Sequence, residues 1–283
     1  MRSVLITGCS TGVGAALAER CAGSGWTTYG TVRKTADVAA LEARGARALV
    51  CDVTDGASVD AAVAQVLEAT GRIDAVVANA GIGYVRNVEQ AKDDEVAELF
   101  DVNVHGVFRT VKAALPHMRA AGRGHVVAVT SVGGLVGQPF NEFYCATKFA
   151  VEGFIEGLAS YVTPGFGVDF TCVEPGGITT EFAATVMNKV GASGGILDDD
   201  YKPLIAAYMG GRAARGDGVY QTAEEVAEVI AGVMGTEAPP LRMRTSDWSE
   251  SFTRFKTEAD PTGLKQRDEA IRTMLGPDFV PES

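Results

Sequence analysis

The stretch GCSTGVG, residues 8–14, brings three glycines together close to the start of the chain. It follows an apolar run that predicts a strand at residues 4–7, and it precedes a helical pattern at residues 14–22. Glycine allows a tight turn and a close approach to a phosphate, and the N-terminus of the following helix offers free N–H groups. The arrangement of strand, glycine-rich turn and helix predicts a dinucleotide site, with a plain strand-to-helix loop as the alternative.

Short apolar runs alternate with longer amphipathic stretches along most of the chain. Two runs, at residues 74–78 and 125–130, are apolar throughout, which is typical of strands that are buried on both faces. This β-α-β alternation predicts an α/β fold with a parallel sheet of about seven strands and helices on both faces. The predicted strands cover residues 4–7, 27–32, 48–53, 73–78, 125–131, 168–173 and 241–245. The predicted helices cover residues 14–22, 38–44, 58–70, 94–104, 107–119, 144–161 and 223–234.

The chain shows no repeat, no linker and no change of composition that would separate two domains. We therefore predict one domain over residues 1–283, with a helical extension over residues 247–283 that packs through its apolar side chains. Residues 191–218 hold many glycines and predict a mobile segment around a helix. Three consecutive aspartates at residues 198–200 predict a solvated loop.

The bulk composition excludes several classes of protein. The 283 residues are 46% hydrophobic and 22% charged, as in ordinary globular proteins, and the formal net charge is −11. This acidity argues against a nucleic-acid partner, and no apolar run approaches the roughly 20 residues that span a bilayer. The five cysteines and three histidines show no ligand spacing. We therefore predict no metal site, and free thiols in a reducing, cytoplasmic setting.

Further motifs follow in order along the chain. The triplet NAG at residues 79–81 comes after the fourth predicted strand, and Ser131 ends the fifth. Tyr144 stands thirteen residues after the serine, with Lys148 one helical turn further on. Together with the spacing GxxxGxG from residue 8, these motifs resemble the short-chain dehydrogenase/reductase family. The stretches around Ser131 and Tyr144 are most similar to its hydroxysteroid and retinol dehydrogenase branch. The resemblance implies a doubly wound, Rossmann-type sheet and an enzyme that interconverts an alcohol and a ketone or aldehyde.

The resemblance assigns four catalytic residues: Asn103, Ser131, Tyr144 and Lys148. Tyr144 is the candidate acid and base, but the pKa of a free tyrosine lies near 10, too high for efficient work at neutral pH. Lys148 lies on the same helix face, where its charge would lower that pKa by stabilising the tyrosinate. In the family, the lysine would also hold the nicotinamide ribose, the serine would bond the substrate oxygen, and the asparagine would hold a water. The alternative for Tyr144 and Lys148 alone is a core phenol beside a lysine that reaches outward.

The end of the second predicted strand indicates the cofactor. NAD-binding proteins tend to carry an acid there, yet this strand is followed by Arg33 and Lys34, with no acid before Asp37. Arg33 is suited to the 2′-phosphate of NADP, so we predict NADP(H) over NAD(H), with a solvated loop as the alternative. The predicted cofactor-binding residues are Gly8, Ser10, Thr11, Gly12, Val13, Gly14, Arg33, Asp52, Val53, Asn79, Ala80, Gly81, Tyr144, Lys148, Pro175, Gly176, Ile178 and Thr180.

Residues 181–220 are expected to cover the substrate, because the family places its variable lid there. Their apolar side chains predict a pocket for a bulky lipophilic molecule, although a helical pair that packs on the sheet edge would use the same side chains. No histidine follows His125, which argues against steroid recognition through an imidazole. The candidate pocket residues are Phe182, Met187, Ile196, Leu197, Tyr201, Leu204, Ile205, Tyr208 and Met209.

Two other functions share the pattern. One is a non-catalytic NADP-binding regulator, against which the complete catalytic set argues. The other is an isomerase, epimerase or dehydratase that acts by transient hydride transfer. The family resemblance further implies a homodimer or homotetramer built on the helices around residues 101–119 and 144–161. The expected partner in the site is a small carbonyl compound or alcohol.

Overall fold

The computed structural model of the chain describes residues 2–213, 219–274 and 280. The strands are β1 (Ser3–Ile6), β2 (Thr27–Val32), β3 (Arg47–Val50), β4 (Ala75–Ala78), β5 (Gly124–Val129), β6 (Val168–Glu174), β7 (Gly177–Ile178), β8 (Tyr220–Gln221) and β9 (Arg242–Arg244). Seven of them form one parallel sheet in the order β3-β2-β1-β4-β5-β6-β9. The order reverses its direction between β1 and β4, which confirms the predicted doubly wound sheet. The short pair β7-β8 was not predicted.

The helices surround this sheet. They are α1 (Gly12–Gly23), α2 (Val38–Glu42), α3 (Gly56–Thr70), α4 (Asp93–Phe100), α5 (Gly106–Ala121), α6 (Glu142–Phe166), α7 (Glu181–Ala192), α8 (Lys202–Ala213), α9 (Ala223–Met234), α10 (Asp247–Thr257) and α11 (Leu264–Met274). Local signals explain where several of them begin. The side chain of Asp55 caps α3 by accepting the Ala57 N–H at 2.9 Å. Thr222 and Glu225 form a capping box at the start of α9.

Two apolar cores lie on the two faces of the sheet. Leu5 of β1 points into one core, with side chains from α3, α5 and α6. Its neighbours Val4 and Ile6 point into the other core, with side chains from α1 and α9. Successive strand residues face opposite sides, so a strand that is covered on both faces must be apolar at every position. This explains the unbroken apolar runs in the sequence.

Some predicted element bounds were wrong. The third strand ends at Val50 rather than at residue 53, so Asp52 and Val53 lie in the loop that follows it. The fifth strand ends at Val129, and Ser131 lies two residues beyond it. The predicted helices 94–104 and 107–119 are joined by one turn of π-helix at Asp101–His105. A π-turn has no sequence signal as clear as a proline or glycine, and such turns often mark functional sites.

The glycine-rich region after β7 contains two helices. Helices α7 and α8 occupy most of residues 181–213, while residues 214–218 of the predicted mobile segment lie outside the described residues. In the predicted solvated loop at residues 198–200, Asp198 forms an ion pair with Lys202, with 2.7 Å between the carboxylate oxygen and Nζ. The predicted C-terminal extension packs through α10 and α11, where Thr253 and Ile271 are buried.

Two general predictions concern the chain as a whole. All five cysteines are buried and unpaired. Across residues 2–213 and 219–274, we find no helix with the length and hydropathy that crossing a bilayer requires.

Candidate active site

Each glycine in the turn after β1 has its own structural reason. Gly8 has a φ of 72°, in the left-handed region, and a Cβ there would lie 2.8 Å from the Ala80 Cα. Gly12 has a φ of 60°. Gly14 lies inside α1, where a Cβ would clash with the carbonyl oxygen of Gly8 and lie 2.5 Å from the Asn79 Nδ2. At Gly8 and Gly14 the turn therefore has no room for a side chain.

The NAG triplet holds this turn against the end of β4. The Asn79 Nδ2 donates to the carbonyl oxygens of Thr7 at 2.8 Å and Gly8 at 3.1 Å. The backbone N–H groups of Asn79 and Ala80 donate to the Thr7 Oγ1 at 3.0 and 3.1 Å. Four hydrogen bonds thus join two loops that lie about 70 residues apart in the sequence. The shape of the turn depends on them.

A cavity of about 690 Å³ begins at the glycine turn and continues to α10. Its walls come from residues just after the carboxyl ends of the strands, where open α/β sheets bind their ligands. Every residue that the sequence predicts to bind the cofactor lies on this wall, and so does Ser131. Of the predicted catalytic and cofactor-binding residues, Asn103 alone does not line this cavity.

The turn after β2 places a cation on the wall of the cavity. The Arg33 side chain is exposed, and no carboxylate in residues 2–213 or 219–274 lies within 4 Å of it. Asp52 lies on the same wall and accepts from the backbone N–H and Oγ1 of Thr54 at 3.0 and 2.8 Å. Burial acts to raise the pKa of Asp52, but the Thr54 bonds and the charges of Arg33 and Arg109 lower it.

The three catalytic candidates on the cavity wall come from α6 and from the end of β5. Tyr144 and Lys148 lie one turn apart on α6, and the Lys148 Nζ lies 5.7 Å from the centroid of the Tyr144 ring. The Lys148 Nζ donates to the carbonyl oxygen of Val129 at 2.9 Å. Ser131 follows β5, and its Oγ accepts the N–H of Gly133 at 3.0 Å. These bonds orient both side chains.

Burial dominates the electrostatics of Tyr144 and Lys148. It raises the pKa of the Tyr144 phenol to about 12, while a hydrogen bond with Ser131 acts in the opposite direction. Burial also lowers the pKa of the Lys148 ammonium to about 8, against the charge of Glu152. The expected lowering of the tyrosine pKa by Lys148 together with the oxidised nicotinamide stays a prediction. The ammonium is itself desolvated and is bonded to Val129 rather than to the phenol.

Asn103 is buried directly behind the cavity wall, close to Gly81 and Lys148. Its Oδ1 accepts the N–H of Ile82 at 2.8 Å, and its Nδ2 donates to the Ile82 carbonyl oxygen at 2.8 Å. The Nδ2 also donates to the Thr147 Oγ1 at 3.2 Å. The side chain thus joins the π-turn to the loop after the NAG triplet and to α6. Both ends of the amide thus have protein partners, and the catalytic role of Asn103 stays a prediction.

The lid candidates divide into three groups. Phe182 and Tyr208 line the cavity, and the Phe182 ring packs edge-on against Tyr144 with 6.2 Å between ring centroids. Ile205 is buried in a separate apolar cluster, with Tyr201, Tyr208 and Met209 packed against it. The remaining candidates are exposed, so the lid forms both a pocket wall and a packed helical pair. The exposed residues are Met187, Ile196, Leu197 and Leu204.

Some residues in the site and next to it were missed in the sequence. Trp248 of α10 lines the cavity, and a Cβ at Gly176 would lie 2.8 Å from its ring. It stacks on Phe252 with 4.8 Å between ring centroids. Arg86 is buried, and it donates to the carbonyl oxygen of Gly195 at 2.9 Å and to the Ser193 Oγ at 2.7 Å, just after α7. No local pattern identifies these residues, since each acts on a distant part of the chain.

Comparison with known proteins identifies the family. A family model described as short chain dehydrogenase matches residues 2–191. This chain belongs to the short-chain dehydrogenase family. The 17-beta-hydroxysteroid dehydrogenase type 1 of Homo sapiens is 38% identical over 291 residues, covering 96% of this chain and 86% of that protein. Retinol dehydrogenase 8 of Bos taurus is 37% identical over 274 residues, covering 93% of this chain and 86% of that protein.

Solved structures agree with this assignment. A short-chain dehydrogenase from Streptomyces avermitilis superposes with a TM-score of 0.77 at 31% identity, covering 96% of this chain and 99% of that chain. Other similar structures contain NAD in one case and NADPH in another. The expected family and its hydroxysteroid and retinol dehydrogenase branch are confirmed. Within the described part of this short-chain dehydrogenase, no group of three or more His, Cys, Asp or Glu side chains is arranged to hold a metal ion.

Proposed function

We propose that this short-chain dehydrogenase is an NADP(H)-dependent oxidoreductase that interconverts an alcohol and a ketone or aldehyde on a lipophilic small molecule. The observation that carries the proposal is the meeting of Ser131, Tyr144 and Lys148 on the wall of the cavity that begins at the glycine turn. A proton donor, a hydrogen-bond donor and a cation thus face one space. Reduction of a carbonyl group needs these groups near the oxygen that gains charge.

The residues on the wall fit a dinucleotide. Gly8 and Gly14 keep the turn free of side chains at the N-terminus of α1, where N–H groups and the helix dipole favour a pyrophosphate. Arg33 is placed to bind a 2′-phosphate, with the hydroxyls of Ser10 and Thr11 on the same wall. Lys148 would hold the nicotinamide ribose. When bound, the nicotinamide supplies or accepts the hydride.

The side chains of the site transfer the proton and stabilise the charges that form. In reduction, Tyr144 donates a proton to the substrate oxygen, and its pKa of about 12 keeps the phenol protonated at neutral pH. The Ser131 hydroxyl has a long contact with the carbonyl oxygen of Pro175, at 3.4 Å, and a hydrogen bond with Tyr144, so it lies beside the phenol and can turn to the substrate oxygen. The charge of Lys148 stabilises the phenolate that remains. In oxidation, Tyr144 takes the proton back.

The substrate end of the cavity supports a lipophilic ligand. Phe182, Val186, Tyr208 and Phe252 contribute apolar surface to the wall. The Asn141 Nδ2, which donates to the Tyr208 Oη at 2.5 Å, is a polar group on the same side. Relatives named for 17-beta-hydroxysteroids and for retinol are the most informative guide to probes.

The proposal is tested by following NADPH oxidation with estrone and with all-trans-retinal as probe substrates. We expect NADPH to be consumed in equal amount to the alcohol that forms. Tight NADPH binding without turnover on these and other ketones would favour the regulator. Conversion of a substrate to an isomer without net loss of NADPH would favour the isomerase or epimerase.

Cofactor preference gives a separate prediction. We expect the substitution Arg33→Ala to raise the KM for NADPH about tenfold, because a charge-assisted hydrogen bond contributes about 1.5 kcal/mol or more. The KM for NADH should change less than twofold. Steady-state kinetics with both cofactors measures this, with Lys34→Ala as the matched control. A wild-type enzyme that uses NADH as efficiently as NADPH would contradict the proposed preference.

We also propose a homodimer built on α5 and α6. Phe108 and Phe149 are each 44% exposed on these helices, and Tyr161 is 51% exposed. Exposed aromatic side chains of this kind are enriched at protein interfaces. The substitution Phe149→Arg is expected to convert the dimer to a monomer in light-scattering measurements at micromolar concentration. The control Phe255→Arg changes a more exposed side chain on α10 and should leave the dimer intact. A wild-type protein that is monomeric would refute the proposal.

A further inference from the structure

Four side chains follow one another along one face of α6 at intervals of four residues. They are Tyr144, Lys148, Glu152 and Glu156. The first two belong to the proposed catalytic centre, and the mechanism above does not use the other two. Glu152 is only 5% exposed, which is unusual for a carboxylate that has no assigned role. A buried acid one turn below the proposed catalytic lysine requires an explanation.

The surroundings of Glu152 hold its carboxylate in place. The Thr130 Oγ1 donates to one carboxylate oxygen at 2.5 Å. The Arg242 Nε lies 3.7 Å from the other oxygen. Gly134 permits the close approach of the side chain, because a Cβ there would lie 2.9 Å from the Glu152 Cγ. Three separate elements thus shape this position.

The end of β5 binds the same face of α6 through consecutive residues. The carbonyl oxygen of Val129 accepts from the Lys148 Nζ at 2.9 Å, and the hydroxyl of Thr130 donates to Glu152 at 2.5 Å. The next residue is Ser131. The bond to Glu152 therefore lies between the anchor of the lysine and the serine of the proposed centre.

The ion pairs around Glu152 extend away from the cavity. Arg242 also pairs with Glu156, with 2.6 Å between Nη2 and carboxylate oxygen. Burial acts to raise the pKa of Glu152, while Thr130, Cys172 and Arg242 oppose this by favouring the carboxylate. The titratable and charged groups that face Glu152 and Lys148 are Tyr144 and Glu156 on α6, Cys172 and Glu174 on β6, and Arg242 on β9.

We propose that Glu152 is a positioning residue of this site, whose buried carboxylate keeps Lys148 in the charged ammonium form beneath Tyr144. This role rests on the proposed function, in which the charge of Lys148 stabilises the phenolate. A neutral amine in the same place would still accept or donate hydrogen bonds. It would not lower the energy of the phenolate, so Tyr144 would release its proton only at a higher pH.

The direct test measures the ionisation of Lys148 and needs no substrate. Lysine side chains labelled with ¹³C at Cε are titrated by NMR, and the Lys148 resonance is assigned by its absence in Lys148→Met. We expect the substitution Glu152→Gln to lower the midpoint of Lys148 by about one pH unit, because an adjacent opposite charge is lost. Glutamine keeps the size of the side chain and an acceptor for Thr130.

The matched control is Glu156→Gln. Glu156 contacts the same arginine but lies two helical turns from Lys148, about 12 Å along the helix axis. The control removes a carboxylate that pairs with the same arginine and should leave the Lys148 midpoint unchanged. An unchanged midpoint in Glu152→Gln, or equal shifts in both variants, would overturn the proposal.

A second variant guards against misfolding of the first. Thr130→Val removes the hydroxyl that favours the Glu152 carboxylate, and it should lower the Lys148 midpoint in the same direction by a smaller amount. With turnover on the probe alcohols estradiol or retinol, the alkaline rise of kcat/KM should move to higher pH by about one unit in Glu152→Gln. A purely structural lesion would reduce kcat without moving this midpoint. Absence of turnover in the wild type would count against the proposed function, while the NMR titration would still decide the role of Glu152.

Discussion

Tyr144→Phe is expected to lower kcat for reduction of a ketone substrate by about 10³-fold, because it removes the hydroxyl that is proposed to give the substrate a proton. The phenyl ring keeps the shape of the side chain and its edge-on contact with Phe182 at 6.2 Å between centroids. Only the hydroxyl is lost. The loss should therefore fall on the chemical step, and the affinity for NADPH should change less than threefold.

Steady-state NADPH oxidation and fluorescence titration of the cofactor together measure these two effects. Tyr161→Phe provides the matched control, because Tyr161 lies on the same helix and is half-exposed, away from the cavity. It should retain full activity. Residual activity within tenfold of wild type in Tyr144→Phe would mean that another group supplies the proton.

Gly14→Ala is expected to have the second large effect, on cofactor binding and on stability. The added Cβ would clash with the carbonyl oxygen of Gly8 and lie 2.5 Å from the Asn79 Nδ2. Neither atom can yield easily, because the Asn79 amide is bonded to both Thr7 and Gly8. We expect the free energy of unfolding to fall by about 3 kcal/mol. The Kd for NADPH should rise by about 100-fold or more, since the displaced turn lines the cofactor cavity.

Urea denaturation and cofactor titration measure this prediction. Gly23→Ala is the control, because Gly23 is the last residue of the same helix and its Cβ would meet nothing within 4 Å. That substitution should change the free energy of unfolding by less than about 1 kcal/mol. Equal effects of the two substitutions would show that helix propensity, and not the close approach at Gly14, is responsible.

Local patterns in the sequence were sufficient for the architecture. Strands that are covered on both faces must be apolar at each position, and the runs at residues 74–78 and 125–130 show this directly. The glycine turn and the four-residue spacing of Tyr144 and Lys148 are likewise short-range features. Each depends on backbone geometry within a single turn of the chain, so each is visible without a structure.

The electrostatic environment of the site could not be predicted in the same way. The sequence places Lys148 beside Tyr144 and suggests that the tyrosine pKa falls. Burial acts in the opposite direction and raises that pKa to about 12, because desolvation depends on every element that covers the phenol. The partners of Asn103 were not predictable either. Its side chain bonds to the backbone of Ile82, 21 residues earlier, which lies on the cavity wall.

The residues that only the tertiary structure assigned are polar or aromatic groups that contact distant parts of the chain. Arg86 reaches Ser193 across 107 residues of sequence, and Glu152 meets Arg242 across the sheet. Trp248, on a helix of the C-terminal extension, packs against Gly176. Hydrophobic periodicity reports whether a residue is buried, because burial repeats with the turn of the helix or strand. Hydrophobic periodicity does not indicate which residue pairs with a buried charge, because that partner depends on how elements far apart in the sequence pack together.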